Sequence, residues 1–398
     1  MKKILLIILD GAGDRPIGRF GGKTPLEAAN KPNMDRLAAE GVCGTMYVIG
    51  KGIVPESDNA HLTLFGYDLS KFYPGRGPIE AMGIGARLEH GDIALRANLA
   101  TIDKNWIIKD RRAGRIKTTA PFCKLVSGME IDGVKFLVFP GLEHRAVILI
   151  RGNNLSDKIS NSDPHEEGMR VLTVQATDGS KEAKITAGAL NKFLIKSHEI
   201  FNDSKLNKER LKQELLPGNF FLTRGAGHYT EIPSFMDMYL RKAACIAGGP
   251  LYKGLGAAAG MDIIDVKGAT GTPDTDLREK FAAAADALKK YDFVFLHIKG
   301  TDVFGHDGKP EEKKKFIEKI DQFIPLIADA DAVIAITSDH CTPCEAKDHA
   351  DDPVPFLIHA KGMTPDSVKV YGESYCRKGR LGLINGKDFM KNVLKFAE

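Results

Sequence analysis

The sequence predicts an α/β protein built on a mostly parallel sheet with helices on both faces, interrupted by a smaller inserted α+β domain. Short apolar runs alternate with helical segments in the first and last parts of the chain, which is typical of parallel sheets. The middle of the chain instead mixes short strand-like runs with two helical stretches. A length of 398 residues also favours two domains over a single core.

The strands and helices of the predicted sheet domain follow from apolar patterning. Uninterrupted apolar runs predict strands buried on both faces, and the helices show apolar residues at helical spacing. Pro32 suits the first turn of a helix, and Gly41 suits the exit from that helix. The predicted strands are 3–9, 263–266, 292–298, 332–336 and 354–358, and the predicted helices are 32–40, 276–291 and 310–328.

The inserted domain is predicted from the change of pattern in the middle of the chain. Strand-like runs lie at 135–139 and 146–150, and helical stretches lie at 180–197 and 204–216. A polar segment at 151–163 is typical of a loop. The predicted organisation is therefore a discontinuous domain, 1–90 with 226–398, and an insert, 91–225.

Composition limits the classes of partner. The net charge of +4 comes from Lys and Arg spread along the chain, so no nucleic-acid partner is expected. No apolar run has membrane-spanning length, so no membrane partner is expected either. The apolar run after Lys3 is shorter than a signal-peptide core and ends in Asp10. Six scattered cysteines do not form a disulfide framework, so a cytoplasmic protein is expected, and a homo-oligomer stays open.

Aspartates and histidines cluster at the ends of the predicted strands. In open α/β sheets ligands bind beyond the carboxyl ends of strands, which makes these clusters candidates for one metal site. Each residue alone is also compatible with an ordinary turn or helix cap. A mixed Asp/His set suits Mn²⁺, Zn²⁺ or Co²⁺ better than an oxygen-only Mg²⁺ or Ca²⁺ cage. The candidates are Asp10, Asp302, His306, Asp339, His340 and His349.

Ser57 is the candidate nucleophile. It stands at a predicted helix start in Glu56-Ser57-Asp58-Asn59, where a serine is most often a helix cap. The alternative is chemical, because a helix N-terminus stabilises a phosphate and a bound metal lowers the pKa of a hydroxyl. Cys341 and Cys344 form a C-x-x-C without a second pair, which does not fit a zinc ribbon. A redox pair stays open, and we interpret both thiols as incidental.

These motifs resemble a known enzyme family. Segments 9–11, 57–60, 302–306, 339–340 and His349 occur in the order used by the alkaline phosphatase superfamily. More narrowly, the chain resembles archaeal-type 2,3-bisphosphoglycerate-independent phosphoglycerate mutases over nearly its whole length. The segments that carry this resemblance are 11–16, 24–29, 65–68, 73–78, 96–98, 110–115, 144–145, 163–165, 222–225 and 249–254.

The resemblance implies an alkaline-phosphatase-like fold and two divalent metal ions, with Mn²⁺ favoured and Zn²⁺, Co²⁺ or Mg²⁺ as alternatives. It implies no 2,3-bisphosphoglycerate cofactor. The implied ligands of the first metal are Asp10, Ser57, Asp339 and His340, and those of the second are Asp302, His306 and His349.

The resemblance also implies the substrate, the small molecule 3-phosphoglycerate, interconverted with 2-phosphoglycerate while Ser57 is transiently phosphorylated. The insert would then act as a substrate-binding lid. Asp163 is the expected general base, and Lys253 is the expected substrate-contacting lysine. Arg145 is expected at the substrate carboxylate, and the other expected substrate-binding residues are Arg111, Arg112, Arg115, Arg224 and His165.

Two other functions remain open from the sequence. One is a different reaction of the same superfamily, such as a phosphatase, a phosphopentomutase-like or a homoserine-kinase-like phosphotransferase, because the metal ligands would be shared. The other is a metal-loaded binding module without catalysis. Such a module would not need a nucleophile beside the metal ligands, which favours an enzyme.

Overall fold

A computed structural model describes residues 1–398, and the chain divides into two compact units. The larger unit comprises residues 1–73 and 233–398, and the smaller unit comprises residues 74–232. Fourteen strands are present: β1 Lys3–Leu9, β2 Val42–Tyr47, β3 Ile93–Ile102, β4 Ile108–Asp110, β5 Met129–Ile131, β6 Val134–Pro140, β7 Arg145–Arg151, β8 Phe220–His228, β9 Ala243–Ile246, β10 Asp262–Ile263, β11 Phe293–Ile298, β12 Ala332–Thr337, β13 Val354–His359 and β14 Gly382–Asn385.

Sixteen α-helices and two short 3₁₀ helices connect the strands. The 3₁₀ helices are Gly18–Phe20 and Gly386–Asp388. The α-helices are α1 Pro25–Ala28, α2 Pro32–Ala39, α3 Ser57–Leu64, α4 Leu69–Phe72, α5 Arg76–Gly83, α6 Ala120–Val126, α7 Lys181–Asp203, α8 Lys205–Lys212, α9 Phe235–Tyr239, α10 Pro250–Ala258, α11 Leu277–Ala287, α12 Gly300–His306, α13 Pro310–Asp321, α14 Pro325–Ala328, α15 Glu373–Cys376 and α16 Phe389–Lys395. None of these helices combines the length and apolar character needed to cross a membrane.

The larger unit contains an eight-stranded sheet in the order β10-β9-β11-β1-β12-β13-β2-β14. Every strand runs in one direction except β13, which is antiparallel to both β12 and β2. This confirms the prediction of a mostly parallel sheet. Because β13 is reversed, its amino end lies at the same edge of the sheet as the carboxyl ends of β1, β11 and β12.

The central strands of this sheet are buried on both faces. All residues of β11 and β12, and all of β1 except Lys3, are buried, although successive side chains point to opposite faces. Such strands occur where helices cover both faces of a sheet. A single apolar cluster includes residues of α2, α11 and α13 together with β1, β11 and β12. Packing therefore holds the edge of the sheet in a defined position.

The smaller unit is an antiparallel sheet covered by helices. Its strands follow the order β4-β3-β7-β6-β5, and β8 also pairs with β3. The smaller unit, residues 74–232, extends beyond the predicted insert, residues 91–225, at both ends. Helix α5 packs on β3 and β8, with Gly77 so close that an added Cβ would lie 2.0 Å from the carbonyl oxygen of Ala94. Strand β8 continues to His228 while paired with β3, so a boundary at 225 would cut a strand.

Most predicted elements are present, and the differences have local causes. The helix predicted over 310–328 is two helices, α13 and α14, because a proline inside a helix cannot complete the hydrogen-bond pattern, and Pro325 begins the second one. The strand predicted at 263–266 is the two-residue β10. Strands β2 and β9 were not predicted because VCGTMY and AACI lack a strong β-branched pattern.

Buried Lys313 joins the segments that follow β1 and β12. Its side chain is 0% exposed, and its ammonium donates to Asp14 Oδ2 at 2.9 Å. It also donates to the carbonyl oxygens of Gly13 at 3.0 Å and Thr342 at 2.9 Å. The three hydrogen bonds offset the free-energy cost of removing this ammonium from water. Lys313 therefore ties α13 to two loops at the edge of the sheet.

We expect Lys313→Met to lower the free energy of unfolding by about 3–5 kcal/mol, because Asp14 would be left as an uncompensated buried charge. Chemical denaturation of both proteins measures the difference. Lys314→Met is the matched control, because Lys314 forms a half-buried pair with Glu318 at 3.1 Å and should change the free energy by less than about 1 kcal/mol. Equal effects of the two substitutions would contradict a special role for Lys313.

Candidate active site

The Asp and His residues predicted at strand ends meet at one edge of the larger unit's sheet. Two groups have potential ligand atoms that all lie within 4.8 Å of one another. The first group is Asp10, Asp339 and His340, and the second is Asp302, His340 and His349. Asp10 directly follows β1, Asp302 lies in α12 after β11, and Asp339 and His340 follow β12. His349 precedes β13, and the reversed direction of β13 brings it to the same edge.

Ser57 lies beside the first group. Its hydroxyl is 3.4 Å from His340 Nε2, and the same nitrogen is 3.7 Å from Asp10 Oδ1 and 3.3 Å from Asp339 Oδ2. Ser57 is the first residue of α3 and is 5% exposed. Asp339 Oδ2 is buried without a hydrogen-bond partner. A buried carboxylate oxygen without a donor is suited to a cation.

The second group surrounds Asp302. Its Oδ1 is 3.4 Å from His306 Nε2 and 3.6 Å from His349 Nε2. The rings of His340 and His349 stack with centroids 3.7 Å apart. The side chain of His349 is 13% exposed and that of the adjacent His306 is 39% exposed, so this part of the site is more open to solvent than the first group.

Hydrogen bonds orient two of these imidazoles. Nδ1 of His306 is 2.9 Å from the carbonyl oxygen of Lys347, and Nδ1 of His349 is 2.9 Å from that of Pro55. A carbonyl can only accept, so each Nδ1 carries the proton. In the neutral form of each imidazole Nε2 then holds the lone pair and faces Asp302, which is the arrangement found in metal-binding histidines.

Thr342 orients His340 in the same way. The Thr342 hydroxyl donates to Asp302 Oδ1 at 2.8 Å and lies 3.0 Å from His340 Nδ1. Because the Thr342 hydroxyl donates its proton to Asp302, its oxygen accepts a hydrogen bond from Nδ1–H of His340. Nε2 of His340 is then an acceptor facing both groups. Thr342 was not predicted from the sequence.

The turn after β1 requires glycine at position 11. Gly11 has a φ of +59°, and an added Cβ would lie 2.5 Å from Thr342 Oγ1 and 2.7 Å from Asp302 Oδ1. Its backbone N–H donates to Asp339 Oδ1 at 3.0 Å. A side chain here would therefore displace the groups that orient both candidate metal sites.

Lys299 is the cation nearest these carboxylates. Its ammonium is 2.7 Å from Asp302 Oδ2 and 3.2 Å from Asp10 Oδ1. Burial acts to raise the pKa of Asp10, but Lys299 and a hydrogen bond from His297 hold it well below its usual range. Burial and the charge of Asp10 raise the pKa of Asp339 well above its usual value. The excess of negative charge is thus only partly balanced by the protein.

The buried histidines are held neutral. Burial lowers the pKa of His340 to about 3, and it lowers the pKa of His61 to about 4. Neutral imidazole is the form that binds metal ions. Buried carboxylates, an oxygen without a partner and free imidazole lone pairs together fit divalent cations with oxygen and nitrogen ligands.

Sequence reasoning missed several residues of this site. His61, one helical turn after Ser57, lies with its Nδ1 2.6 Å from the carbonyl oxygen of Ser57. His297 Nε2 is 2.8 Å from Asp10 Oδ2 and 0% exposed. The four-residue spacing of Ser57 and His61 was a readable signal. His297 lies inside strand β11, where a histidine is indistinguishable from a core residue in sequence.

Lys253 does not join the metal-ligand groups. It lies on α10, and its ammonium pairs with Asp265 Oδ1 at 2.5 Å. The preceding residue, Tyr252, is the one whose side chain reaches Ser57, with its hydroxyl 3.5 Å from Ser57 Oγ. The predicted substrate contact of Lys253 stays a prediction.

Arginines gather on one face of the smaller unit's sheet. Arg96 is opposite Arg224 in the pairing of β3 with β8, and Asn98 is opposite Arg145 in the pairing of β3 with β7. Residues 96 and 98 point to the same face, so their partners share that face. Glu80 accepts from Arg96 at 2.9 Å. Arg96 and Glu80 were not predicted as site residues.

Asp163 and His165 lie next to this cluster. Asp163 is 1% exposed, and its Oδ2 pairs with Arg111 Nη2 at 2.5 Å. The backbone N–H of His165 donates to Asp163 Oδ1 at 2.9 Å, and His165 Nδ1 is 3.4 Å from Arg224 Nη1. The structure therefore brings together Arg111, Asp163, His165 and Arg224.

The cluster has an excess of positive charge. Burial lowers the pKa of Arg96 to about 10 against the attraction of Glu80, and the charges of Arg76, Arg224 and Arg145 lower it further. Arginines outnumber the two carboxylates, Glu80 and Asp163, so the cluster favours an anion. Among the other predicted residues, Arg112 and Arg115 are both exposed. Arg112 acts on this region through its charge, which with burial and Arg145 lowers the pKa of His144 to about 4.

Comparison with known proteins identifies the family. Residues 2–395 match the model of the Metalloenzyme superfamily. The chain is 44% identical over 398 residues to a 2,3-bisphosphoglycerate-independent phosphoglycerate mutase of Methanocaldococcus jannaschii, covering 98% of this chain and 96% of that protein. It is 45% identical over 404 residues to such a protein of Sulfolobus acidocaldarius, with 99% and 97% covered.

Solved structures agree with the sequence comparisons. A protein of Pyrococcus horikoshii has a TM-score of 0.85 at 37% identity, covering 100% of this chain and 97% of that one. The cofactor-independent phosphoglycerate mutase of Thermoplasma acidophilum has a TM-score of 0.74 at 35% identity, covering 100% of both chains. The chain therefore belongs to the 2,3-bisphosphoglycerate-independent phosphoglycerate mutase family of the Metalloenzyme superfamily.

Proposed function

We propose that this protein interconverts 3-phosphoglycerate and 2-phosphoglycerate through a phosphoserine at Ser57. The carrying observation is the position of the Ser57 hydroxyl, 3.4 Å from His340 Nε2, a nitrogen that also faces Asp10 and Asp339. A nucleophile beside candidate metal ligands is the arrangement that phosphoryl transfer requires. The reaction belongs to glycolysis and gluconeogenesis, for which the cytoplasm is the expected location.

The proposed site holds two divalent metal ions, with Mn²⁺ favoured over Zn²⁺, Co²⁺ and Mg²⁺. Their proposed ligands are Asp10, Ser57, Asp339 and His340 for one ion and Asp302, His306 and His349 for the other. When bound, such ions neutralise phosphoryl charge and lower the pKa of a coordinated hydroxyl. The mixture of carboxylate oxygens and imidazole nitrogens supports this choice of metals.

Within the chain, Ser57 attacks phosphorus in line and the glycerate hydroxyl leaves. The N-terminus of α3 supports the new phosphoserine, because the first-turn backbone N–H groups and the helix dipole favour an anion there. His61 fixes the first turn of α3 by donating from Nδ1 to the carbonyl oxygen of Ser57. The glycerate then re-orients, and its other hydroxyl takes the phosphoryl group back.

The arginine cluster is proposed to bind the substrate carboxylate. Arg145, Arg224 and Arg111 offer planar guanidinium groups, which match a carboxylate with two parallel hydrogen bonds. Asp163 is the proposed general base for the glycerate hydroxyls. Asp163 Oδ2 lies 2.5 Å from Arg111 Nη2, so the proposed base is in contact with one of the proposed carboxylate-binding arginines.

We expect Ser57→Ala to abolish mutase activity, by roughly 10³-fold or more, because no other hydroxyl occupies the attacking position. An enolase-coupled assay starting from 3-phosphoglycerate measures turnover, and intact-mass spectrometry of quenched enzyme detects the phosphoserine. Ser70→Ala is the control, because Ser70 lies on α4 with its hydroxyl bonded to Asp68. Substantial activity in Ser57→Ala would remove Ser57 from its proposed role.

Metal binding should depend on two histidines to different extents. His340 is a proposed ligand of the first ion and also lies in the second candidate group, so His340→Ala should lose the first ion and weaken binding of the second, whereas His306→Ala should lose about one ion. Elemental analysis after dialysis measures ions per chain, and metal added back after chelation should restore wild-type activity. Equal metal content in the two variants would contradict the shared position of His340.

Carboxylate recognition should depend on Arg145. We expect Arg145→Ala to raise the KM for 3-phosphoglycerate roughly 10- to 100-fold, the loss expected for one charged hydrogen-bonded contact. The activity of the Arg145→Ala variant toward a phosphate monoester that lacks a carboxylate should differ little from that of the wild-type protein. Lys192→Ala, which removes an exposed pair with Asp132 in the same unit, is the control. Equal losses with both substrates would place Arg145 outside carboxylate recognition.

A further inference from the structure

We propose that the Tyr252 hydroxyl is a catalytic hydrogen-bond donor to Ser57 Oγ, stabilising the charge that this oxygen carries during phosphoryl transfer. This inference rests on the proposed role of Ser57 as the nucleophile. Tyr252 is the third residue of α10, and its hydroxyl is 3.5 Å from Ser57 Oγ. His340 Nε2, at 3.4 Å, is the other hydrogen-bonding group beside that oxygen.

Packing fixes the position of the Tyr252 ring. The ring is 3% exposed and stacks on His297 with centroids 3.4 Å apart and an interplanar angle of 18°. His297 is itself held by its 2.8 Å contact with Asp10 Oδ2. The Lys299 ammonium lies 5.4 Å from the ring centroid, on the face of the tyrosine. Because neighbouring groups contact the faces of the ring, its hydroxyl is already oriented, and no further side-chain entropy is lost when the reaction occurs.

The direction of the hydrogen bond follows from the two oxygens themselves. The Tyr252 hydroxyl is placed to donate to Ser57 Oγ at 3.5 Å. Ser57 Oγ has lone pairs that accept such a bond, both as a hydroxyl and as an alkoxide. Asp10 is a second acceptor near the Tyr252 hydroxyl, and in the proposed site its carboxylate would be engaged as a metal ligand.

A donor at this position acts in both half-reactions. In the first, Ser57 Oγ loses its proton to solvent and forms its bond to phosphorus, while the bond from phosphorus to the glycerate oxygen breaks and that oxygen leaves with the electron pair and takes up a proton. In the second, the other glycerate hydroxyl gives its proton to Asp163 and bonds to phosphorus, while the bond from phosphorus to Oγ breaks and its electron pair returns to Oγ. The oxygen carries negative charge at the start of the first step and at the end of the second. Tyr252 stabilises that charge by hydrogen bonding alone, and its proton is not transferred.

Tyr252→Phe tests the hydroxyl and keeps the ring. We expect kcat to fall about 10- to 100-fold, with the KM for 3-phosphoglycerate and the metal content unchanged. The limb of the pH–rate profile that reports ionisation of Ser57 should move to higher pH, because loss of a hydrogen bond to the charged form raises a pKa. Quenched-flow intact-mass measurements should show slower formation of phosphoserine.

Tyr239→Phe is the matched control, because Tyr239 in the same unit donates its hydroxyl at 2.8 Å to the carbonyl oxygen of Phe65, away from Ser57. Wild-type kcat and pH profile in Tyr252→Phe would overturn the inference. A loss of metal content or of thermal stability greater than that of Tyr239→Phe would also overturn it, since the hydroxyl would then act through the fold. If Ser57→Ala is active, the proposed function itself fails; if it is inactive and Tyr252→Phe is normal, only this inference fails.

Discussion

The larger unit is organised around buried carboxylates that converge at one edge of a parallel sheet. Asp10 and Asp339 are 0% exposed and Asp302 is 3% exposed, and Lys299 is the only Lys or Arg residue that forms an ion pair with Asp10 and Asp302. Such a concentration of negative charge away from water is unfavourable unless cations balance it. The orientation of the histidines, the glycine at position 11 and the reversed β13 all serve the same arrangement.

The smaller unit has the opposite electrostatic character. Arg96, Arg145 and Arg224 share one face of an antiparallel sheet, and Glu80 and Asp163 balance only part of their charge. A group of arginines with unused donors is a site for an anion with planar oxygens. The substrate of the proposed reaction carries both a phosphoryl group and a carboxylate, which correspond to the two kinds of charged site.

Prediction from sequence succeeded for the location of residues that stand at strand ends. Asp10, Asp339 and His340 follow apolar runs that are recognisable as buried strands, and the carboxyl ends of parallel strands meet at one edge. It failed for residues whose partners come from other parts of the chain. His297 lies within β11, and the proximity of Tyr252 to Ser57 joins positions 195 residues apart.

The amino-acid sequence by itself determined the mostly parallel sheet, the helices within 32–40, 276–291 and 310–328 and the residues that reach the edge of the sheet, because local patterning specifies strands and strand ends. It also carried the family resemblance, since the motifs stand in the family's order. Only the tertiary structure decided which nitrogen of each histidine faces the site, where the boundary of the smaller unit lies and that Tyr252 reaches the nucleophile. These features depend on hydrogen bonds and packing between distant segments, which no local pattern encodes.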